Sequence, residues 1–347
     1  MDLLKRKGVV QTPAKFWEQG PRGKLKCNLC PRHCLIGPGQ QGFCFTRANV
    51  DGELLALTYG RPTGFAVDPI EKKPLYHFLP GTPILSFGTA GCNLGCKFCQ
   101  NWNMSTARAV DTRALNVSAK DVVEVARRER CQSIAFTYNE PTVFAEFVME
   151  TAAEARKEGI KNVAVTNGYI TAEAAKEFYE NIDAANVDLK AFTEKFYRKL
   201  ALAKLAPVKK TLEYLATRTT VWLEVTTLLI PGQNDDPGEL KDMCRWIAET
   251  LGPDVPLHFS AFHPDHRFRE VERTPESTLH TAHEIAAAAG LKFVYLGNVA
   301  SAAGQTTLCP SCGEALIERS WRSTGRVKIV GGKCAKCGEP ISGVFSD

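Results

Sequence analysis

No apolar run in this chain reaches the ~18–20 residues that a helix needs to cross a bilayer, so the pattern predicts no membrane span and no membrane partner. The opening Met1-Asp-Leu-Leu-Lys-Arg-Lys7 is charged but lacks an apolar core, which argues against a secretory leader and for a cytoplasmic protein. Low-complexity stretches and sequence repeats are also missing, so neither a disordered tail nor a solenoid is expected. The remaining composition is that of an ordinary globular protein of 347 residues, long enough for one large domain with small appendages.

Cysteine, by contrast, is abundant. Thirteen are present, and eleven fall into three spaced sets: Cys27/Cys30/Cys34/Cys44, Cys92/Cys96/Cys99 and Cys309/Cys312/Cys334/Cys337. Without a secretory leader, clustered CxxC pairs read as metal ligands and not as disulfides. Cys131 and Cys244 stand alone in helical segments and read as core thiols. Metal-bound thiols are deprotonated. A three-thiolate [4Fe–4S]²⁺ carries −1 and a four-thiolate Zn²⁺ site −2, so filling all three sites cancels the formal +5. The modest basicity therefore says little about a nucleic-acid partner.

The middle set has the spacing C-x3-C-x2-C and no fourth cysteine nearby. A structural zinc wants four ligands. Three thiolates can instead hold three irons of a [4Fe–4S] cube and leave the fourth open for chemistry. Gly91 and Gly95 let the backbone curl around such a cluster. The last set, with Pro310, Gly313 and Gly338 at its turns and hairpin strands expected over Ala315–Arg322 and Val327–Val330, reads as a zinc ribbon, with rubredoxin-like iron as the alternative. In small zinc domains such a site contributes roughly 10–16 kcal/mol to folding. Arg319, Arg322, Arg326, Lys328 and Lys333 lie there and could meet RNA or an acidic partner, or be a solvated face. The first set also offers four ligands and implies a closed site. Its spacing does not separate Zn²⁺ from an auxiliary Fe–S cluster, and zinc is the preferred reading.

Between these sets, strand-like and helix-like stretches alternate. Strands are expected at Pro83–Gly91, Ser133–Tyr138, Asn162–Thr166, Ala185–Leu189, Val221–Leu229 and Leu257–His263, with a further run at Lys292–Leu296. Helices are expected at Ser118–Arg130, Thr142–Glu158, Thr171–Ile182, Thr193–Arg218, Asp236–Leu251 and Pro275–Ala289. The strands are short and almost continuously apolar, as in a parallel sheet buried on both faces. Six β–α repeats predict an α/β fold with an open, partial (βα)6 barrel. The predicted domains are an N-terminal metal module over residues 1–80, the barrel over 81–304 and the zinc ribbon over 305–347.

Taken together, Cys27-Asn-Leu-Cys-Pro31, Gly42-Phe-Cys44, Asp68-Pro-Ile-Glu-Lys-Lys-Pro-Leu-Tyr-His-Phe78, Gly91-Cys-Asn-Leu-Gly-Cys-Lys-Phe-Cys-Gln-Asn-Trp102, Thr137-Tyr-Asn-Glu-Pro-Thr142, Val165-Thr-Asn-Gly-Tyr169, Val187-Asp-Leu-Lys190 and Leu229-Ile-Pro-Gly-Gln-Asn-Asp235 resemble one family over nearly the whole chain. It is the radical S-adenosylmethionine (SAM) protein of the AmmeMemoRadiSam system, within the group similar to pyruvate formate-lyase activating enzymes. The resemblance implies a [4Fe–4S] cluster at Cys92, Cys96 and Cys99, SAM on its open iron, and a low-potential electron donor such as a ferredoxin or flavodoxin. It also implies SAM contacts from Asn139, Glu140, Thr166, Asn167, Asp188, Lys190 and His263, with His258 a second histidine candidate.

Each of these residues has a plainer reading as well. Glu140 could cap the following helix, Thr166 and Asn167 could shape a turn, and Asp188 and Lys190 could be an internal ion pair. Glu224 and Thr226 share one side of the fifth strand and could line the cavity. Glu71, Lys72, Lys73 and His77 are candidates to cover the barrel mouth and meet substrate. The function expected is reductive SAM cleavage followed by hydrogen abstraction from a protein, RNA or small-molecule substrate. A glycyl-radical activase and a non-catalytic multi-metal RNA- or protein-binding module are the alternatives.

Overall fold

The computed structural model describes residues 12–108, 114–299, 303–320 and 323–345. Its centre is an eight-stranded sheet in which spatial order follows chain order. The strands are β1 (Thr63–Pro69), β2 (Pro83–Gly88), β3 (Ser133–Phe136), β4 (Lys161–Thr166), β5 (Ala184–Asp188), β6 (Trp222–Leu229), β7 (Leu257–Ala261) and β8 (Val294–Gly297). From β2 to β8 every pairing is parallel, and β1 runs antiparallel along β2. Strands β2–β7 are each followed by a helix: α1 (Ala119–Arg128), α2 (Ala145–Lys157), α3 (Ala172–Phe178), α4 (Leu205–Arg218), α5 (Pro237–Trp246) and α6 (Glu276–Ala288). The sheet stays open, because its two edge strands β1 and β8 are not paired with each other.

The local signals account for these elements. In α1, Ala119, Val122, Val123 and Ala126 are buried at helical spacing. Ser118 and Asp121 form a reciprocal capping box at its start. Strand β3 is buried at every position, as expected of a sheet covered on both faces. Both long helical stretches contain a wider turn, and the one after β6 reaches Leu251 as its periodicity suggests. The stretch after β5 is interrupted at Leu202, which takes a left-handed backbone conformation after a wide turn over Tyr197–Ala201. The stretch after β6 likewise ends in a wide turn over Ile247–Leu251.

Strand β1 is a difference from the sequence pattern, which placed no strand before residue 83. Its alternating exposure suits an edge strand and carries too little apolar signal to stand out. In the C-terminal hairpin, Ala315–Ser320 pairs with Ser323–Val327, and Ile329–Val330 turns through Gly331 and Gly332 to pair with Lys333–Cys334. Both glycines take positive φ, as a two-residue hairpin turn requires. Arg322 lies outside the described residues. Cys131 and Cys244 are buried in the core.

Residues 70–79 fold back onto the sheet. Ile70, Leu75, Phe78 and Leu79 pack against Ile84, Ala135, Val163 and Ala184, near the starts of β2–β5. Among the described residues, no helix is long and apolar enough to cross a membrane.

Candidate active site

Cys92, Cys96 and Cys99 lie in the loop that leaves the C-terminal end of β2. Neighbouring segments hold this loop through its backbone: Gly91 N–H donates to Met104 O at 2.9 Å, Gly95 N–H to Ala201 O at 3.0 Å and Lys97 N–H to Leu200 O at 2.9 Å. Asn139, at the end of β3, spends its whole side chain on it. Its Nδ2 donates to Gly91 O at 2.8 Å and Thr89 Oγ1 at 3.2 Å, and its Oδ1 accepts from Thr89 N–H at 3.1 Å. Gly88 permits this approach, since a Cβ there would stand 2.7 Å from Asn139 Oδ1 and 2.5 Å from Thr137 O.

The three sulfurs do not gather as a one-ion site would. They are absent from the groups whose ligand atoms all lie within 4.8 Å of one another. Around them stand donors suited to thiolates: Leu94 N–H lies 3.3 Å from Cys92 Sγ, and Ser105 Oγ 3.3 Å from Cys99 Sγ. Burial pushes the Cys92 thiol well above its ordinary value and the Cys96 thiol up to about 12, with Lys190 opposing the shift at Cys96. Occupancy by metal therefore has to displace protons. Three spread thiols fit the three protein-held corners of a [4Fe–4S] cube.

Glu140 is fully buried beside this loop. One carboxylate oxygen accepts from Thr166 Oγ1 at 2.7 Å and Thr142 N–H at 3.0 Å; the other accepts from Asn167 N–H at 2.8 Å. Burial raises its pKa against the pull of these donors. The Asn167 side chain continues outward, donating from Nδ2 to Asn93 Oδ1 at 2.9 Å and approaching Cys92 Sγ at 3.8 Å. Asn93 in turn donates to Tyr169 O at 2.7 Å. Glu140, Thr166, Asn167 and Cys92 are thus one connected cluster, and Glu140 is also the helix-start cap.

Asp188 and Lys190 pair at 2.9 Å at the end of β5. Burial alone would lower Lys190, but Asp188 and the Cys96 thiol raise it, which places the pair beside the triad. His263 is exposed at the rim, its Nδ1 3.0 Å from Gln100 Nε2 at the end of the cysteine loop. Sequence reasoning missed Asn93, Gln100 and Ser105. Asn93 and Gln100 each follow a triad cysteine directly, which is the signal that could have found them.

The other candidates lie elsewhere. His258 Nε2 is 2.6 Å from Glu224, whose carboxylate also accepts from Tyr76 N–H at 3.0 Å, His77 N–H at 2.8 Å and Trp222 Nε1 at 3.0 Å. Burial would raise Glu224, but His258 and these donors hold it below its ordinary value. Thr226 sits between Asp188 and His258 in sheet register, with its buried hydroxyl unpartnered. Of the charged segment expected at the barrel mouth, Lys73 is buried against Asp68 at 2.9 Å. His77 is wholly buried, its ring nitrogens 2.7 Å from Ser342 O and 2.6 Å from Tyr295 Oη. Burial drops its pKa to about 4, so it is neutral. His77 packs against Trp222 and Phe293 near the strand starts, whereas Lys73 Nζ lies 4.8 Å from the centre of the Tyr138 ring, next to Asn139.

Glu71 and Lys72, with Tyr76, His258, Ser260 and Arg319, line a cavity of about 350 Å³. Arg319, expected on a basic surface, is buried and donates to Tyr76 O at 2.6 Å and Thr307 Oγ1 at 2.8 Å. Lys328 pairs with Glu314 at 2.8 Å, leaving Arg326 and Lys333 exposed.

The C-terminal cysteines converge. Cys309, Cys312, Cys334 and Cys337 bring their sulfurs within 4.8 Å of one another, with 3.6 Å between Cys309 and Cys337 and 3.9 Å between Cys312 and Cys334. A tetrahedron of thiolates at about 2.3 Å from one ion has edges of about 3.8 Å, so this group could hold a metal ion. Cys27, Cys30, Cys34 and Cys44 instead line a small cavity with Arg47 and Asn93.

An open, mainly parallel α/β sheet carries a three-cysteine loop after its first parallel strand. The chain contains a radical SAM domain: the model of the radical SAM superfamily matches residues 87–247. It is 42% identical over 330 residues to an uncharacterized protein of Methanocaldococcus jannaschii, covering 94% of this chain and 98% of that one. Over 165 residues it is 26% identical to the pyruvate formate-lyase 1-activating enzyme of Escherichia coli K12, covering 45% of this chain and 65% of that enzyme. The crystal structure of a radical SAM methyltransferase from Sphaerobacter thermophilus shares the fold at a TM-score of 0.51 and 18% identity, over 66% of this chain and 71% of that one.

Proposed function

We propose that this chain is a radical SAM enzyme in which Cys92, Cys96 and Cys99 hold a [4Fe–4S] cluster. When bound, the cluster and SAM supply a 5′-deoxyadenosyl radical able to take hydrogen from a substrate. The observation that carries this reading is the connection at Asn167: its backbone N–H fixes the Glu140 carboxylate while its side chain reaches Cys92. A carboxylate, an ammonium and short polar groups thereby meet the cysteine loop at one end of the sheet, which suits the amino, carboxylate and ribose groups of SAM.

The chain's own residues divide the work. Asn139 clamps the cysteine loop and acts as a positioning residue. Glu140 offers its remaining acceptor capacity to an ammonium. Asp188 and Lys190 offer opposite charges beside Cys96, and His263 stands at the rim. Asp188, Thr226 and His258 are successive register neighbours, so one sheet face leads from the triad to the cavity under Arg319. That cavity is large enough to take a substrate group. The C-terminal group binds Zn²⁺ and braces the hairpin whose Arg319, Ser320 and Thr324 roof the cavity. A low-potential ferredoxin or flavodoxin supplies the electron.

Similarity to the activating enzyme keeps a glycyl-radical activase as a second reading. The two flanking cysteine modules, in their whole-chain arrangement, favour the AmmeMemoRadiSam assignment and a large partner. Anaerobic reconstitution followed by dithionite and SAM tests the reading. 5′-Deoxyadenosine is expected, and its absence from a fully iron-loaded sample would overturn it.

A further inference from the structure

The two four-cysteine sets have the same ligand count but different geometry. At the C-terminus the sulfurs stand at tetrahedral-edge distances. At the N-terminus no three of Cys27, Cys30, Cys34 and Cys44 bring their sulfurs within 4.8 Å of one another; they surround a cavity instead. One ion cannot bridge sulfurs held that far apart. A cubane can, because each of its four irons takes its own thiolate and spreads the sulfurs to roughly 6 Å.

A second observation concerns Arg47, which lines the same cavity and is 1% exposed. Its Nη1 donates to Lys15 O at 2.7 Å and its Nη2 pairs with Glu146 at 2.6 Å. Its buried Nε–H has no partner. A buried N–H donor without an acceptor costs roughly 1–3 kcal/mol. The anionic sulfur surface of a four-thiolate cluster is the acceptor this position lacks, and it carries the charge that Arg47 complements.

We infer that Cys27, Cys30, Cys34 and Cys44 bind a second, auxiliary [4Fe–4S] cluster, the alternative to zinc that their spacing leaves open. With every iron capped by cysteine, this cluster has no open iron and can only hold and pass single electrons. A low-potential one-electron donor takes it from the 2+ to the 1+ state, with no bond made or broken. Its place suits an electron carrier. Asn93, the residue after Cys92, forms part of the cavity wall, and the Cys44 carbonyl rests so close to Gly91 that a Cβ there would be 2.2 Å from it. Gly91 has φ +85°, so glycine serves both the turn and the contact between the two cysteine loops.

The decisive sample is the full chain carrying Cys92→Ser, Cys96→Ser and Cys99→Ser, reconstituted anaerobically with iron, sulfide and zinc. Its readout does not depend on SAM cleavage, so it fails or succeeds separately from the proposed function. It should retain about four irons and four sulfides per chain, and dithionite should produce the electron paramagnetic resonance signal of a reduced cubane. Fewer than about four irons in a soluble, folded variant overturns the inference, as does zinc in this site. Should the triple variant not fold, the wild-type chain decides. About eight irons with one zinc is the expected load, and Cys30→Ser should halve the iron while leaving the zinc. A wild-type load of about four irons overturns the proposal.

Discussion

Two fully buried carboxylates, Glu140 and Glu224, belong to different strands of the same sheet, and their surroundings differ in kind. Glu140 sits where the strands finish, held by neutral donors from Thr142, Thr166 and Asn167 beside the cysteine loop. Burial dominates there and raises its pKa. Glu224 sits near the start of β6, bonded to His258, Trp222 and two backbone N–H groups from residues 76 and 77. These partners outweigh burial and lower its pKa. The fixed donors around Glu224 more than offset its burial, whereas those around Glu140 do not.

The comparison is tested most strongly by Cys96→Ala. It should abolish SAM cleavage while leaving the C-terminal ion in place, as read by 5′-deoxyadenosine production and zinc analysis. Loss of both would mean that the cysteine loop and the ribbon are not separable. Glu224→Leu strands His258, Trp222 Nε1 and two backbone donors without an acceptor. It should cost about 3–5 kcal/mol in chemical denaturation, the range for breaking a buried charged pair. A small loss would show that Glu224 is not the anchor described.

Acid tests the surroundings of Glu224 as well, through His77, whose backbone N–H bonds it. His77 has an unfolded value of 6.5 and a folded value of about 4, so the unfolded chain binds the proton first as pH falls. Its contribution is full above 6.5 and is lost between 6.5 and 4, amounting to about 3 kcal/mol. Wild-type stability should therefore fall over that window more steeply than that of His77→Gln, measured by denaturation at each pH. The carboxylates oppose each other in sign. Glu224, lowered, stabilises above 4.5 and loses that contribution as pH falls, while Glu140, raised, stabilises below 4.5 and loses its contribution as pH rises.

Glu140→Gln is the mildest change. It leaves Asn167 N–H facing a donor and should cost about 1–3 kcal/mol of stability. SAM binding, followed by titration of the cluster-loaded protein, should weaken as well. Unchanged SAM affinity would reduce Glu140 to a helix cap.

Much of this was legible in the chain because it is local. The triad occupies eight consecutive residues, the capping box of α1 spans four, and the buried parallel strands are short apolar runs. Thr166, Asn167, Asp188 and Lys190 could be placed at strand ends for the same reason. Strand β1 was not legible, because an edge strand with alternating exposure has little apolar content to mark it. Asn139 was expected to face SAM, and only the fold shows its amide wholly committed to residues 89 and 91.

What the sequence determined by itself is the order of the strands, the open-iron spacing of the triad and the number of cysteines in each flanking set, all properties of neighbours along the chain. The tertiary structure decided which groups meet. Glu224 finds Tyr76 across 148 positions, and Arg319 finds it across 243. Such contacts bury His77 within the packing and turn a basic hairpin residue, Arg319, into part of a cavity wall. They also close one cysteine quartet on a point and leave the other open around a cavity. Spacing along a chain limits how far apart two sulfurs can be, but only the packing of the segments that carry them sets how near they come.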